Sequence, residues 1–487
     1  MLLLMIIIWV GLIYCATKPV YWSTSSKTAL AEAELEYRDE HVSQACYISF
    51  ATGIGSFVSN DVDSQWNGLP INLLVWTTTP WTLVANRGIA FSPSIEYVLV
   101  QSRERIYIVA GSLRESLAST LEDLVHLAPA NDLLTGLFYR DLWHGDVLRP
   151  VIPAEFVTDT SGTGLVHLAP AHGFDDYEVC RAHGMEVGES SVDDNGLFFK
   201  DIPAELMGKT AMGEGQATIM DQMKRRGHLI ASAPYGHKYP YDWRTDQPVM
   251  VRATRQWFVN IEACRQNLLS AIETIDFDSG SSRNKLIQMV NSRNDWCISR
   301  QRSWGLPLPV FYDTDTGTPL LDANVIEHVA KVFEELGSDA WWQLPIERLL
   351  PDQFQAISSR LEKGKDTFDV WFDSGTLWAQ DPKTQADLYI EGSDQYRGWF
   401  QSSLITSTLA RGVPPMKRII SHGFVVDQQG NKMSKSKGNV VAPSSIIQSA
   451  KRRQGGTDLL RVLLLSADYR DDIRIGDQAI GIDLVHF

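Results

Sequence analysis

The sequence predicts an α/β protein, with a strand-rich first half and a second half in which strands alternate with helices. Three observations predict it. Leu73-Leu74-Val75-Trp76 and Tyr97-Val98-Leu99-Val100 are short apolar runs of strand length, within a strand-favouring stretch from Asn72 to Ala110. Ile106-Tyr107-Ile108-Val109 follows the second run across a polar turn, Ser102 to Arg105, as a hairpin does. From Asn324 to Leu336 the apolar residues Val325, Val329, Val332, Phe333 and Leu336 share one helical face, and Gly337 can close the C-terminus. Asp313-Thr314-Asp315-Thr316-Gly317 reads as a turn. No internal repeat or low-complexity tract is evident.

With 487 residues the chain can hold two to four domains. Hydrophobic content of 44% and charged content of 21% are ordinary for a globular protein. A net charge of −15 excludes coating nucleic acid through bulk charge, though not a local basic groove. The basic triplets Lys224-Arg225-Arg226 and Lys451-Arg452-Arg453 read as exposed helix ends. Five cysteines, with no Cys-x-x-Cys pair, fit a reducing compartment better than a disulfide framework. The apolar stretch Met1 to Tyr14 is too short for a membrane span, and it lacks the features of a secretory or organellar leader.

Four segments carry chemistry. Lys432-Met433-Ser434-Lys435-Ser436 lies between Gly430-Asn431 and Lys437-Gly438-Asn439. Two ammonium groups three residues apart on a Gly- and Ser-rich turn can converge on a polyphosphate, with backbone N–H and hydroxyl donors beside them. Such a loop stabilises charge on pyrophosphate leaving an acyl adenylate; alone it also fits a solvated basic loop. Trp76-Thr77-Thr78-Thr79-Pro80-Trp81-Thr82, with Asn86 beyond, places hydroxyls on both faces of an extended strand. In the segment Gly162 to Tyr177, glycines precede His167, His172, Asp175 and Asp176. A carboxylate there can hold an α-ammonium, and the imidazoles can shape a pocket or position water. A metal is the competing reading, without a His-x-x-x-His spacing or a cysteine to support it. Glu391-Gly392-Ser393-Asp394-Gln395-Tyr396-Arg397-Gly398-Trp399-Phe400 reads as a strand end turning into a helix, with groups suited to ribose hydroxyls and an amino group.

Together with Asp295-Trp296-Cys297-Ile298-Ser299-Arg300-Gln301-Arg302-Ser303-Trp304-Gly305, these segments resemble the isoleucyl-tRNA synthetases, class I aminoacyl-tRNA synthetases, from about Gly11 to Ile475. The resemblance implies a Rossmann-like catalytic domain interrupted by a β-rich editing insertion. It implies residues 1–42 as a remnant of the first catalytic half, 43–231 as the editing domain, 232–455 as the connecting segment and second catalytic half, and 456–487 as the start of a helical anticodon-binding domain. The implied activity joins isoleucine to ATP, with Mg2+, and then to its tRNA, as a monomer without a membrane partner. In it Lys432 and Lys435 bind the ATP phosphates, and Glu391, Gly392, Asp394 and Gln395 hold the adenylate. His422 lies near the adenine, and Trp371-Phe372-Asp373-Ser374-Gly375 lines the synthetic site. One methylene is worth only about 1–3 kcal/mol, so valine is mischarged, and isoleucine against valine in this family is the standard case of that limit. Editing removes it. The resemblance makes Asp176 the α-ammonium anchor, and it makes His167, Asn86 and Thr77, Thr78 and Thr79 pocket residues around a held water.

Two departures from the family pattern shape further expectations. No His-x-Gly-His segment occurs in the sequence, which implies an incomplete first half and poor isoleucine activation, and the stop at Phe487, near the start of the implied helical anticodon-binding domain, implies a chain truncated at the other end as well. On that ground a free-standing valyl-tRNA deacylase and a non-catalytic tRNA-binding module stay open beside the ligase. Where many relatives carry paired cysteines, this chain has Trp22-Ser23-Thr24-Ser25-Ser26 and Tyr241-Asp242-Trp243-Arg244-Thr245. No zinc is expected there. The same variants resemble a mitochondrial branch, which implies the matrix as the compartment, with the cytoplasm as the alternative.

Overall fold

The computed structural model describes residues 11–52, 69–433, 438–451 and 456–475. The chain divides into two compact units. One comprises Cys15–Phe258 with Ser299–Ser303; the other comprises Met1–Tyr14, Val259–Ile298 and Trp304–Phe487.

Two of the sheets in the first unit position the candidate site residues. The larger has six strands in the order Leu229–Asp242, Leu35–Ala51, Ile71–Thr77, Arg105–Ala110, Tyr97–Ser102 and Val125–Pro129. Its inner strand Ile71–Thr77 is buried at every position except Trp76, which is half-buried, so both faces are covered and the run reads as continuously apolar. The expected hairpin is present: Tyr97–Ser102 pairs antiparallel with Arg105–Ala110, Ser102 opposite Arg105. The first two strands form a long antiparallel ribbon from Asp242 opposite Leu35 to Leu229 opposite Ile48. The second sheet orders Leu165–Leu168, Gly88–Phe91, Leu148–Pro153 and Phe138–Arg140.

Pro80 changes the threonine segment. It removes a ladder donor, so the strand stops at Thr77, and Pro80–Ala85 turns into a 3-10 helix. The extended strand of three threonines expected from sequence is therefore absent, and Thr78 and Thr79 lie in the turn.

Within this unit the buried Glu34 carboxylate faces Arg300 Nε at 3.1 Å and Arg302 Nη1 at 2.5 Å, with Ala31 N–H donating to Oε2 at 2.8 Å. Burial alone would raise the Glu34 carboxyl, but Arg300 and Arg302 outweigh it and hold it below the usual range.

The second unit contains a parallel three-stranded sheet in the order Asp276–Phe277, Arg418–His422, Tyr389–Gly392. Helix Trp399–Arg411 connects the last two as a βαβ crossover. This helix is buried from Phe400 to Thr408 although it carries five hydroxyls there. Several bond locally, as Ser403 to Trp399 O at 2.6 Å and Ser407 to Val413 O at 2.7 Å do, while the Thr408 hydroxyl is buried without a partner among the described residues. The predicted amphipathic helix spans Ala323–Leu336, with the Asp322 carboxylate capping its N-terminus and Gly337 (φ 81°) closing it. Val325 and Val329 enter a core with Phe311, Trp341 and Leu349, and Val332 and Phe333 pack against it. Leu336, in the last turn, is 58% exposed rather than part of the buried face. Asp313 Oδ1 accepts from the N–H groups of Asp315 and Thr316, fixing the expected turn.

None of the five cysteines forms a disulfide. Among the described residues no helix is long and apolar enough to cross a membrane. Lys224 and Arg225 end helix Gln216–Arg225 as expected; Arg452 and Arg453 lie outside the described residues.

Glu34→Ala leaves two guanidinium groups without their buried counter-ion and is expected to destabilise the protein by about 3–5 kcal/mol in urea unfolding. A depressed folded-state pKa gives stability that is present above the ordinary carboxylate value of 4.5 and lost as pH falls below it. Glu34→Gln should therefore flatten the acid limb of the pH–stability curve.

Candidate functional site

In the first unit the turn after Thr77 and the strand Leu165–Leu168 meet in one hydrogen-bonded network. Thr77 Oγ1 accepts from Thr79 N–H at 3.1 Å and lies 3.3 Å from Thr79 Oγ1. Thr82 Oγ1 donates to Thr79 O at 2.9 Å and lies 2.9 Å from His167 Nε2. Asn86 Nδ2 donates to Gly88 O at 2.9 Å and lies 3.5 Å from His167 Nδ1, while Asn86 Oδ1 accepts from the buried Tyr139 hydroxyl. One tautomer satisfies all of these contacts: His167 donates from Nε2 to Thr82 and turns the Nδ1 lone pair to the Asn86 amide. Burial pushes the imidazole down to about 4, with His172 adding to the shift, so His167 is neutral at pH 7. Its contacts hold the Thr82 hydroxyl and the Asn86 amide in place.

The sequence missed Thr82 and Tyr139. Thr82 lies inside the quoted motif, but its role depends on the 3-10 turn that points it at His167. Tyr139 is distant in sequence and carried no signal. His172 donates to Val251 O at 3.0 Å and accepts from Ser191 Oγ at 3.3 Å. Burial holds it too near 4. Trp81 packs edge-on against His172 at 4.8 Å, and its indole N–H is buried without a partner among the described residues.

Asp176 stands in the first turn of helix Phe174–Ala182, where its Oδ2 accepts from Ala169 N–H at 2.7 Å. Gly173 is required beside it, since a Cβ there would meet the carboxyl carbon at 2.6 Å. Burial raises the Asp176 carboxyl to about 6, with the backbone hydrogen bond from Ala169 opposing the rise. It faces no ion-pair partner among the described residues, and a buried cation would be bound at low dielectric.

In the second unit Glu391 and Gly392 end one parallel strand, His422 ends its neighbour opposite Gly392, and Asp394 and Gln395 form the 3-10 turn that follows. These are carboxyl ends of adjacent parallel strands, where α/β sheets bind ligands. Gly392 has no room for a side chain: a Cβ would lie 2.7 Å from Asp394 Oδ1. Gln395 is anchored by Trp399 N–H at 3.0 Å and donates to Asp394 Oδ2 at 3.0 Å. His422 donates from Nδ1 to Gly423 O at 2.8 Å, leaving Nε2 as acceptor on an exposed ring. Trp371 lies against Gly398, where a Cβ would meet its ring at 2.8 Å, which brings the Trp371 to Gly375 segment beside Gln395. Burial, with Asp369 nearby, raises Asp373 to about 7.

Lys432 is exposed and bridges to Val426; Lys435 lies outside the described residues. The organiser of this loop is Asp427, which sequence reading missed. Its carboxylate accepts from Gln429 N–H, Asn431 N–H (2.7 Å) and Asn439 Nδ2 (2.9 Å), tying the segments on both sides of the lysines. Asn439, with Asn431 and Gln429, holds the Asp427 carboxyl below its ordinary range.

At the serine-rich segment, Asp242 Oδ2 accepts from Ser23 at 2.7 Å and Ser26 at 2.9 Å, and Ser25 lies 2.7 Å from Thr245 across the same knuckle. Hydroxyls and one carboxylate close this loop. Among the described residues no cluster of three or more His, Cys, Asp or Glu side chains is arranged to hold a metal.

A family model, tRNA synthetases class I (I, L, M and V), matches residues 3–476. The chain belongs to this family. Relatives include isoleucine–tRNA ligases of Nostoc punctiforme, 44% identical over 96% of this chain and 51% of the relative, and of Cyanothece sp., 44% identical over 96% and 50%. The chain spans about half the length of the curated relatives it matches. Solved structures that resemble it include Mycobacterium tuberculosis methionyl-tRNA synthetase bound by methionyl-adenylate (20% identity, TM-score 0.33, 51% of this chain and 40% of that one). Another is a ternary complex of Agrobacterium radiobacter LeuRS (17%, TM-score 0.36, 100% and 57%). The synthetase fold with a Rossmann-like catalytic region agrees with the sequence expectation.

The mitochondrial expectation is overturned, because these relatives are cyanobacterial. It rested on Trp22 to Ser26 and Tyr241 to Thr245, with Thr28 to Glu34 following, and in this chain Asp242 ties Ser23 and Ser26 together locally.

Two outcomes test this geometry. A raised carboxyl costs stability as pH rises from 3.8 through about 6. Asp176→Asn should therefore stabilise the protein at pH 7.5 by roughly 1–3 kcal/mol, after allowance for partial exposure, and have no effect below pH 4 in thermal melts. Asp427→Ala should accelerate tryptic cleavage at Lys432 several-fold by untying the loop.

Proposed function

We propose that this chain carries isoleucine–tRNA ligase chemistry: ATP-dependent activation of isoleucine, transfer to its tRNA, and hydrolysis of valyl-tRNA. The sequence relatives support the specificity. The observation that carries the hydrolytic half is the neutral network of Thr77, Thr79, Thr82, Asn86 and His167, together with the unpaired Asp176 carboxylate.

In this reading the ionised Asp176 receives the α-ammonium of the mischarged amino acid. The arriving cation lowers the carboxyl's pKa and secures its charge. Neutral His167 locks Thr82, and Thr82 locks the carbonyl of Thr79, so the threonine hydroxyls keep fixed positions around a water. That water attacks the ester carbonyl carbon, the bond to the ribose oxygen breaks, and valine leaves as the tRNA regains its hydroxyl. Preorganised donors stabilise the intermediate charge without reorganising.

The synthetic half rests on Glu391, Gly392, Asp394, Gln395 and His422 at the strand ends for the adenylate. Lys432 and Lys435 serve the phosphates of ATP bound with Mg2+. Residues 43–231 serve editing and 232–455 serve synthesis. One chain supplies every residue this reading uses, so a monomer suffices.

The test is single-turnover deacylation of valyl-tRNA, with isoleucyl-tRNA as control. Asp176→Ala is expected to slow it on the order of 10²-fold, as the loss of a buried charge pair implies. The wild-type rate should climb as pH passes about 6 and then level off. An unchanged rate in Asp176→Ala removes the site assignment.

A further inference from the structure

Outside the candidate sites, two imidazoles face each other across a ribbon of the first unit. His41 on Leu35–Ala51 is directly opposite His237 on Leu229–Asp242, and both rings are half-buried. Side chains at opposite positions of an antiparallel pair share one face, with Cβ atoms about 4.5–5.5 Å apart. The ribbon has only two strands there, because the next strand, Ile71–Thr77, reaches no further than Cys46. The register also shifts just beyond the pair, between His237 and Tyr239. Two strands alone hold together weakly in water.

Hydrogen bonds orient both rings in the same sense. Lys238 O can only accept, so His237 donates to it from Nδ1 at 3.1 Å, and the lone pair sits on Nε2, met by the Ser43 hydroxyl at 2.9 Å. His41 Nδ1 lies 2.7 Å from the Tyr241 hydroxyl and can donate to it. Nε2 then carries a lone pair with no partner among the described residues. Tyr241 and Ser43 lie in opposite directions along the ribbon from His41. A ring whose Nδ1 turns to Tyr241 therefore turns its Nε2 to the Ser43 side, where His237 Nε2 also points. Stacked tyrosines hold the rings, Tyr239 on His41 at 4.2 Å and Tyr235 on His237 at 5.6 Å. Imidazoles that share one metal ion through nitrogens about 2.0–2.1 Å from it have centroids roughly 4.5–5.5 Å apart. The separation here is 5.5 Å, with the ring planes at 89°. Burial, with His237 adding to it, lowers the His41 imidazole below its ordinary range and favours the neutral ligand form at pH 7. Neighbouring cations are engaged elsewhere: Arg38 pairs with Asp246 at 2.6 Å, and Lys238 lies over the Tyr37 ring at 5.5 Å.

We propose that His41 and His237 form a cross-strand site for one divalent late transition-metal ion, bound by the two Nε2 atoms, which clips the ribbon in register. Their Nδ1–H groups donate to Tyr241 and to a backbone carbonyl, the outer contacts that orient a ligating histidine. No third His, Cys, Asp or Glu completes the set among the described residues, so water fills the remaining positions. Two imidazole nitrogens with oxygen ligands suit Cu2+ best, then Ni2+ and Zn2+, and they do not suit Mg2+, which takes oxygen ligands. The site uses none of the residues of the hydrolytic or synthetic readings and does not depend on them.

The experiment titrates Cu2+ into the untagged chain against a chromophoric chelator. One equivalent should bind, and electron paramagnetic resonance of that equivalent should show two imidazole nitrogens. His41→Gln and His237→Gln should each weaken it at least about tenfold, and Tyr241→Phe should weaken it about tenfold through the lost outer contact. Excess Mg2+ should not compete. Amide exchange in residues 36–43 and 234–241 should slow when Cu2+ is bound. Circular dichroism confirms that each variant is folded, and the resonance spectrum of the wild type needs no variant. Fewer than two imidazole nitrogens on the first equivalent, or unchanged affinity in either histidine variant, overturns the site. Binding that leaves exchange in both strands unchanged overturns the clip.

Discussion

The buried carboxylate of Glu34 is the constraint on which the first unit depends. It lies early in the chain, and its partners Arg300 and Arg302 lie far along it. A five-residue segment, Ser299–Ser303, thereby belongs to a unit otherwise made of Cys15–Phe258. Neither guanidinium can be left without its anion at that depth, because an uncompensated buried charge costs several kcal/mol. Neighbouring contacts reinforce the placement: Gln301 N–H donates to Thr28 Oγ1 at 2.9 Å, and Ser299 Oγ accepts from Trp257 N–H at 2.8 Å.

With that frame closed, the hydrolytic candidate divides its polar groups by role. His167 and His172 are kept neutral by burial and have ring nitrogens engaged by neighbours. Asp176 is the opposite case, a carboxylate held without a cation among the described residues. Its carboxyl, raised to about 6, costs the fold stability at neutral pH, as groups at binding sites often do. The loop around Lys432 follows another logic: Asp427 organises the backbone, and the lysine side chain stays in solvent.

Much of the fold was legible in the sequence. The run at Leu73 to Trp76, the hairpin across Ser102 to Arg105 and the helix closed by Gly337 form where local pattern places them, because apolar periodicity and turn chemistry act over a few residues. Local pattern failed where a single residue broke it. Three threonines favour a strand, but Pro80 cannot donate to a ladder and starts a helical turn instead. Leu336 continues the helical period yet lies in the last turn, beyond the core that Trp341 and Leu349 complete.

The sequence by itself determined the chemical inventory: two lysines on a polar loop, an acidic and amide set at a strand end, and hydroxyls, imidazoles and carboxylates in two short motifs. Those depend on residue type and spacing, which the chain states outright. Only the tertiary structure decided what each group does. Thr82 and Tyr139 join the site because distant strands bring them to His167 and Asn86. Asp176 differs from Asp175 beside it in its burial, which raises its carboxyl to about 6, and in the hydrogen bond it accepts from Ala169 N–H. Burial and partner choice are properties of packing between segments far apart in the chain, and no local pattern encodes them.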